Sequence, residues 1–203
     1  MLDPAHGGAD AGARGANGVL ESEVVLSFAN QARAALERQG LRVLLTRQGN
    51  ENPSFDDRSA VVNAQRGTIF ISFHVSSTGP VGTARVYSLP PPTQASRPPT
   101  AAGTEHTGLA LWDQAQNSYT DLSRRFAELV QIQLAQKFRG SLEVPATAAV
   151  RQLRTIAAPA VAIEISSVSV PNRNQLEQMA PALAEAIARS VADFRSVYEA
   201  GAK

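Results

Sequence analysis

The sequence predicts an α/β domain: a mostly parallel or mixed, twisted sheet with helices on both faces and its active site at the strand carboxyl ends. Short apolar runs alternate along the chain with stretches of three-and-four helical spacing. At 203 residues and 43% hydrophobic content, residues 1–203 suit a single domain with a real core. His6, His74 and Glu164 each fall at or near the end of an expected strand, where such sheets place their ligands.

Met1-Leu2-Asp3-Pro4 reads as the last residues of a strand whose start lies upstream, and these residues lack the basic and apolar regions of a signal peptide. Ala5-His6-Gly7-Gly8 follows as a tight turn, where missing Cβ atoms let a ligand or metal approach the backbone. An irregular loop then leads to Glu21, at the entrance of a helix over 22–39 with Val25, Phe28, Ala29, Ala32 and Leu36 on one face and Gly40 as its cap. Residues 41–46 are short, β-branched and apolar, as expected of a strand buried on both faces. Ser54 with Asp57 resembles a capping box for a short helix from 56 to about 65. Strands are expected at 68–73 and 83–89.

Five of the twelve prolines then fall between Pro90 and Pro99, which sustains neither helix nor central strand, so a surface excursion is expected over about 90–117. The plain expectation is a mobile loop with Trp112 packed on the core. Helix resumes near Thr120 with Leu122, Phe126, Leu129 and Val130 inward and runs to about Phe138. Residues 160–165 read as a buried strand. The last helix opens at Asn174 with an inner stripe of Leu183, Ile187, Val191, Phe194 and Tyr198, and Pro181 implies a kink or a late start.

Composition removes whole classes of chemistry. With no cysteine, disulfides, thiolate metal sites and cysteine nucleophiles are excluded, so any metal must sit on His, Asp or Glu. A net charge of +1 gives no field favouring nucleic acid or an anionic membrane surface. No apolar run reaches the roughly 20 residues that cross a bilayer, so membrane insertion is not expected. The zincin arrangement of two histidines four residues apart is absent, as are the G-x-S-x-G elbow, the P-loop and the dinucleotide fingerprint.

Two carboxylates remain to be explained. Glu21 fits a helix N-terminus on dipole grounds alone. Glu164 follows four apolar residues in an expected central strand, where a carboxylate must be paired, protonated or open to a cleft. The structural alternative is an ion pair with Arg151 or Arg154, but a general base suits the position better.

Taken together, Leu2-Asp3-Pro4-Ala5-His6-Gly7-Gly8, Gly18-Val19-Leu20-Glu21, Leu45-Thr46-Arg47, Arg58 with Ala60 and Asn63, Phe70-Ile71-Ser72-Phe73-His74 and Pro159-Ala160-Val161-Ala162-Ile163-Glu164 resemble, in order and spacing, the zinc-dependent N-acetylmuramoyl-L-alanine amidases of the amidase type 3 family. The resemblance implies Zn²⁺ held by His6, Glu21 and His74, with Glu164 as catalytic carboxylate. The implied reaction is cleavage of the amide between N-acetylmuramic acid and L-alanine in peptidoglycan, in the periplasm or the extracellular wall. In activator-dependent members an insertion covers the metal site until a protein partner displaces it, which makes Glu105 and His106 candidate blocking or substrate-contacting groups. The sequence departs from the family at Ala5, where glycine is usual, at Ser76, and over Ile165-Ser166-Ser167-Val168-Ser169. A catalytically silent peptidoglycan-binding module of the same fold is the alternative, and retention of all four metal and base positions argues against it.

Overall fold

A computed structural model describes residues 1–92 and 112–201 of the chain. Side-chain alternation gives its strands two different faces. Strands β1 (Leu2–Pro4), β2 (Phe70–Ser76), β3 (Thr83–Ser88), β4 (Ala146–Thr147) and β5 (Ala160–Ser166) form one sheet in the order β1-β2-β5-β3-β4. β1, β2 and β5 run parallel, whereas β3 is antiparallel to β5, so the sheet is the mixed form of the one expected.

On one face Ile71, Phe73 and Val75 of β2 stand beside Val161, Ile163 and Ile165 of β5, all buried. Helices α1 (Glu21–Glu37), α3 (Thr120–Lys137) and α6 (Ala180–Gly201) cover them, contributing Phe28, Phe126, Leu183 and Phe194 to the same core. At about 1.5–3 kcal/mol for each large apolar side chain buried, this face carries most of the hydrophobic stabilisation. The opposite face begins apolar: Phe70, Ala160 and Ala162 lie under Val62 of α2 (Phe55–Asn63) and Leu153 of α4 (Arg151–Arg154). Further along the same strands that face turns polar, with Ser72, His74 and Glu164.

Several boundaries differ from expectation for physical reasons. Residues 41–46 are not a strand buried on both faces. They run at the sheet edge beside β1, held by the Leu2 N–H to the Leu44 carbonyl (2.8 Å) and the Thr46 N–H to the Leu2 carbonyl (3.0 Å). The pairing is a single bridge between Leu2 and Leu45, and no longer ladder forms. The strand expected at 68–73 starts at Phe70 and continues to Ser76, which puts His74 inside it. The last helix starts late: Asn174–Glu177 is a separate turn, α5, and Pro181 sits in the first turn of α6, where its missing N–H costs nothing. The Ser54 capping box is present, the Asp57 N–H donating to Ser54 Oγ (3.1 Å) and the Ser54 N–H to Asp57 Oδ2 (3.2 Å).

Of the excursion, residues 93–111 lie outside those described, and Glu105 and His106 with them. Helical structure is present earlier than the expected start near Thr120, as a 3₁₀ segment over Trp112–Tyr119. Gln116 anchors it. Its amide donates to the carbonyls of Ile156 (2.7 Å) and Ala158 (2.8 Å), and its Oε1 accepts from Ser123 Oγ (2.6 Å). Trp112 does not pack on the core, being 47% exposed.

Candidate metal centre

The turn after β1 is pinned by two buried arginines. Arg47 donates to the carbonyls of Pro4 (2.7 Å), Ala5 (2.9 Å) and Ser22 (2.7 Å). Arg58 donates to the carbonyl of His6 (2.8 Å) and pairs with buried Asp3 at 2.6 Å. Held this way, His6 adopts φ 62, a left-handed conformation that costs a non-glycine residue about 1–2 kcal/mol. Ala5 is not among the positive-φ residues, so the turn accepts its side chain.

The strained turn aims the His6 ring at the start of α1. Its Nδ1 lies 2.8 Å from Asp10 Oδ2 and its Nε2 3.2 Å from Glu21 Oε1. His74, from β2, brings Nδ1 to 3.1 Å from the same Glu21 oxygen. Glu21 is buried and also accepts the backbone N–H groups of Val75 (3.0 Å) and Ala13 (2.7 Å). Burial pushes its carboxyl pKa up, but the hydrogen bonds from His6, His74 and Ala13 outweigh this and hold it well below the usual carboxylate range. His6 in turn is raised to about 9, chiefly by its hydrogen bond to Glu21 and then, against desolvation, by Asp10.

Gly12 closes the site, and any side chain there would displace the site's own groups: a Cβ would lie 2.5 Å from Glu21 Oε2 and 2.6 Å from His6 Cδ2, at φ +65. Ligand atoms of His6, Glu21 and His74 all lie within 4.8 Å of one another. Two imidazoles and one carboxylate, three N/O donors, are the set that holds a catalytic divalent cation with one coordination position left open.

Glu164 of β5 is the register partner of His74 across the strand pair, on the same face. Its Oε2 accepts a hydrogen bond from the Tyr87 hydroxyl at 3.1 Å. Burial, then the charge of Glu164, raises the Tyr87 pKa and keeps the phenol a donor. The ion pair considered for Glu164 is not formed: Arg151 instead lies over the Phe55 ring, 4.7 Å from its centroid.

His74 borders two clefts. One, of about 410 Å³, is lined by His6, Asp10, Asn52, Phe55, Asp56 and Arg151, among others. The second, of about 340 Å³, is lined by Tyr87, Ala148, Val150, Ala162 and Glu164.

The structure therefore brings His6, Glu21, His74 and Glu164 to one place on the sheet. Sequence reasoning missed Asp10 and Tyr87 as neighbours of the site. Asp10 carried a usable signal, four residues after His6 in a glycine-rich loop. Tyr87 could be found only once β3 was known to run antiparallel beside β5.

A family model described as N-acetylmuramoyl-L-alanine amidase matches residues 1–193. The N-acetylmuramoyl-L-alanine amidase AmiA of Salmonella typhimurium is 40% identical over 91 residues, 44% of this chain and 32% of that protein. The sporulation-specific N-acetylmuramoyl-L-alanine amidase of Bacillus subtilis is 39% identical over 84 residues, 40% of this chain and 32% of that protein. The match thus spans about a third of the length of these curated relatives. The solved structure of N-acetylmuramoyl-L-alanine amidase AmiC2 of Nostoc punctiforme superposes with a TM-score of 0.72 at 24% identity, over 96% of this chain and 95% of that one, a likeness of fold.

Proposed function

The chain belongs to the N-acetylmuramoyl-L-alanine amidase family, and from that membership and the geometry of the site we propose that it hydrolyses the amide joining the lactyl group of N-acetylmuramic acid to L-alanine of the peptidoglycan stem peptide. One observation carries the reading: His6, Glu21 and His74 converge beside Glu164, with the last two residues in register on neighbouring strands. In this reading residues 1–203 are one catalytic domain.

His6, Glu21 and His74 would hold Zn²⁺, which their nitrogen and oxygen donors suit. Such an ion supplies Lewis-acid polarisation of a carbonyl and a lowered water pKa. Asp10, on His6 Nδ1, leaves Nε2 facing Glu21 and fixes which ring nitrogen is offered. Glu164 takes the proton of the attacking water. As the carbon–nitrogen bond breaks, Glu164 gives that proton to the leaving amine, so the products are the muramoyl carboxylic acid and the free peptide amine. Tyr87, donating to Oε2, holds the carboxylate in place for both transfers.

A peptidoglycan substrate puts the site of action outside the cytoplasmic membrane, in the periplasm or the wall. Among the described residues no helix is long and apolar enough to cross a membrane.

The test is a digest of purified muropeptides analysed by mass spectrometry, alongside elemental analysis of the protein. The expected outcome is one zinc per chain and release of free L-alanyl peptides, abolished by chelation. Glu164→Gln should keep the zinc and lose about 10²–10⁴ in rate. Wild-type turnover by Glu164→Gln, or activity that survives removal of all transition metal, would refute the assignment.

A further inference from the structure

The two clefts that meet at His74 differ in chemistry, and Glu164 lines only one of them. Resting on the amidase reading above, we infer that the substrate lies across the site in one direction: its saccharide sits in the cleft of Asn52, Phe55 and Arg151, and its stem peptide in the cleft of Tyr87, Ala148 and Val150.

Proton transfer sets the direction. The leaving nitrogen must come within hydrogen-bond reach of the group that protonates it. That group is Glu164, so whatever hangs on the nitrogen continues into the Glu164 cleft. Whatever hangs on the carbonyl carbon, the lactyl ether and then the sugar ring, is carried past His74 to the other side.

The walls fit this direction independently. On the first side Phe55 is 45% exposed, and the Arg151 guanidinium lies over its ring, 4.7 Å from the centroid, so the pair presents an aromatic ring and a cation together. Asn52 and Asp56 add an amide and a carboxylate, donors and acceptors suited to the hydroxyls and acetamide of a sugar. On the second side Ala148, Val150 and Ala162 form a small apolar wall that matches the alanine methyl and the peptide backbone after it. Reversing the substrate would set the sugar hydroxyls against that apolar wall, where no side-chain donor or acceptor but Tyr87, His74 and Glu164 lines the cleft, and would give up the polar contacts offered by Asn52 and Asp56.

The test uses the zinc-loaded chain and three soluble substrates: an N-acetylmuramoyl tripeptide, the same tripeptide carrying only a lactoyl group, and N-acetylmuramoyl-L-alanine. Phe55→Ser, with Asn52→Ala as a second variant, should raise KM for both sugar-bearing substrates by about fivefold or more and leave the lactoyl tripeptide unchanged. Ala148→Trp should lower kcat/KM for both tripeptides about tenfold and affect N-acetylmuramoyl-L-alanine least. The opposite pattern, or equal effects on all three substrates, would overturn the orientation. A wild-type chain that releases no amine from any of them would instead overturn the amidase reading itself.

Discussion

Replacing Arg58 with methionine should test how far the site depends on one buried ion pair. Arg58 and Asp3 are both almost fully buried and meet at 2.6 Å. The guanidinium also donates to the carbonyls of Pro4 (3.1 Å), His6 (2.8 Å) and Pro53 (3.0 Å). Methionine fills most of the volume but leaves Asp3 charged, with the hydroxyls of Thr46 (2.5 Å) and Ser72 (2.8 Å) as its side-chain hydrogen-bond donors and the charge of nearby Arg47 as partial compensation. Breaking a buried pair from one side costs about 3–5 kcal/mol. At about 2–4 °C per kcal/mol for a domain of this size, the melting temperature should fall by roughly 6–20 °C. Urea unfolding of the metal-free protein gives the free energy directly, and its slope should not change. Asp3→Asn together with Arg58→Met should cost less than the two separate losses combined, by about 1–3 kcal/mol, because each partner is harmful chiefly when left alone. The same variant removes the donor on the His6 carbonyl, so zinc affinity should drop about 10–100-fold. A stability loss under about 1 kcal/mol, or strict additivity in the double variant, would show that the pair does not organise the turn.

Three other outcomes follow from individual contacts. Gly12→Ala should fold but bind zinc at least about 10-fold more weakly in a chelator competition, because its Cβ would strike the Glu21 carboxylate and the His6 ring. Gln131 accepts from the buried Val86 N–H (2.7 Å) and donates to the Leu142 carbonyl (2.6 Å); Gln131→Leu orphans the Val86 N–H and should cost about 1–3 kcal/mol in urea unfolding without touching metal content. In the metal-free protein His6 is raised from 6.5 to about 9 by Glu21 and Asp10, so the stability this adds is fully present below 6.5 and is lost as pH rises through about 9. Melting temperatures of the metal-free chain should show that decline, and His6→Gln should flatten it.

Elements with a strong local signal were legible in the sequence. The stripe of Leu183, Ile187, Val191 and Phe194 is buried as its spacing required, and Ser54 caps α2 as its pairing with Asp57 required. Legibility failed where the outcome depended on a neighbour. Residues 41–46 carry the composition of a buried strand, yet at the sheet edge they make a single bridge, Leu45 to Leu2. The antiparallel course of β3 is set by pairing with β5 and not by its own residues, and with it went the contact between Tyr87 and Glu164. Glu21 shows a third kind of ambiguity: the dipole and the ligand-site readings of the sequence both describe it, since a carboxylate at a helix N-terminus is also the one best held for two histidines.

The division between the two sheet faces explains why a compact chain can afford so polar a centre. On β2 and β5 the odd positions, Ile71, Phe73, Val75, Val161, Ile163 and Ile165, are closed under three helices and supply stability. The even positions of the same strands begin with Phe70 and Ala160 under two short helices and go on to His74 and Glu164, outside that apolar cluster. Alternation keeps the two roles from competing, because a substitution at His74 faces away from the main core. The consequence reaches back to Asp3 and Ser72. Ser72 donates to Asp3 Oδ2 at 2.8 Å and stands 3.4 Å from His74 Nε2, so the ion pair that fixes the turn of His6 also touches the second histidine. One polar chain running from Arg58 through Asp3 and Ser72 to His74 therefore ties both imidazoles to the same sheet face. Weakening its far end should disturb metal binding more than any loss of core packing on the opposite face of equal free-energy cost.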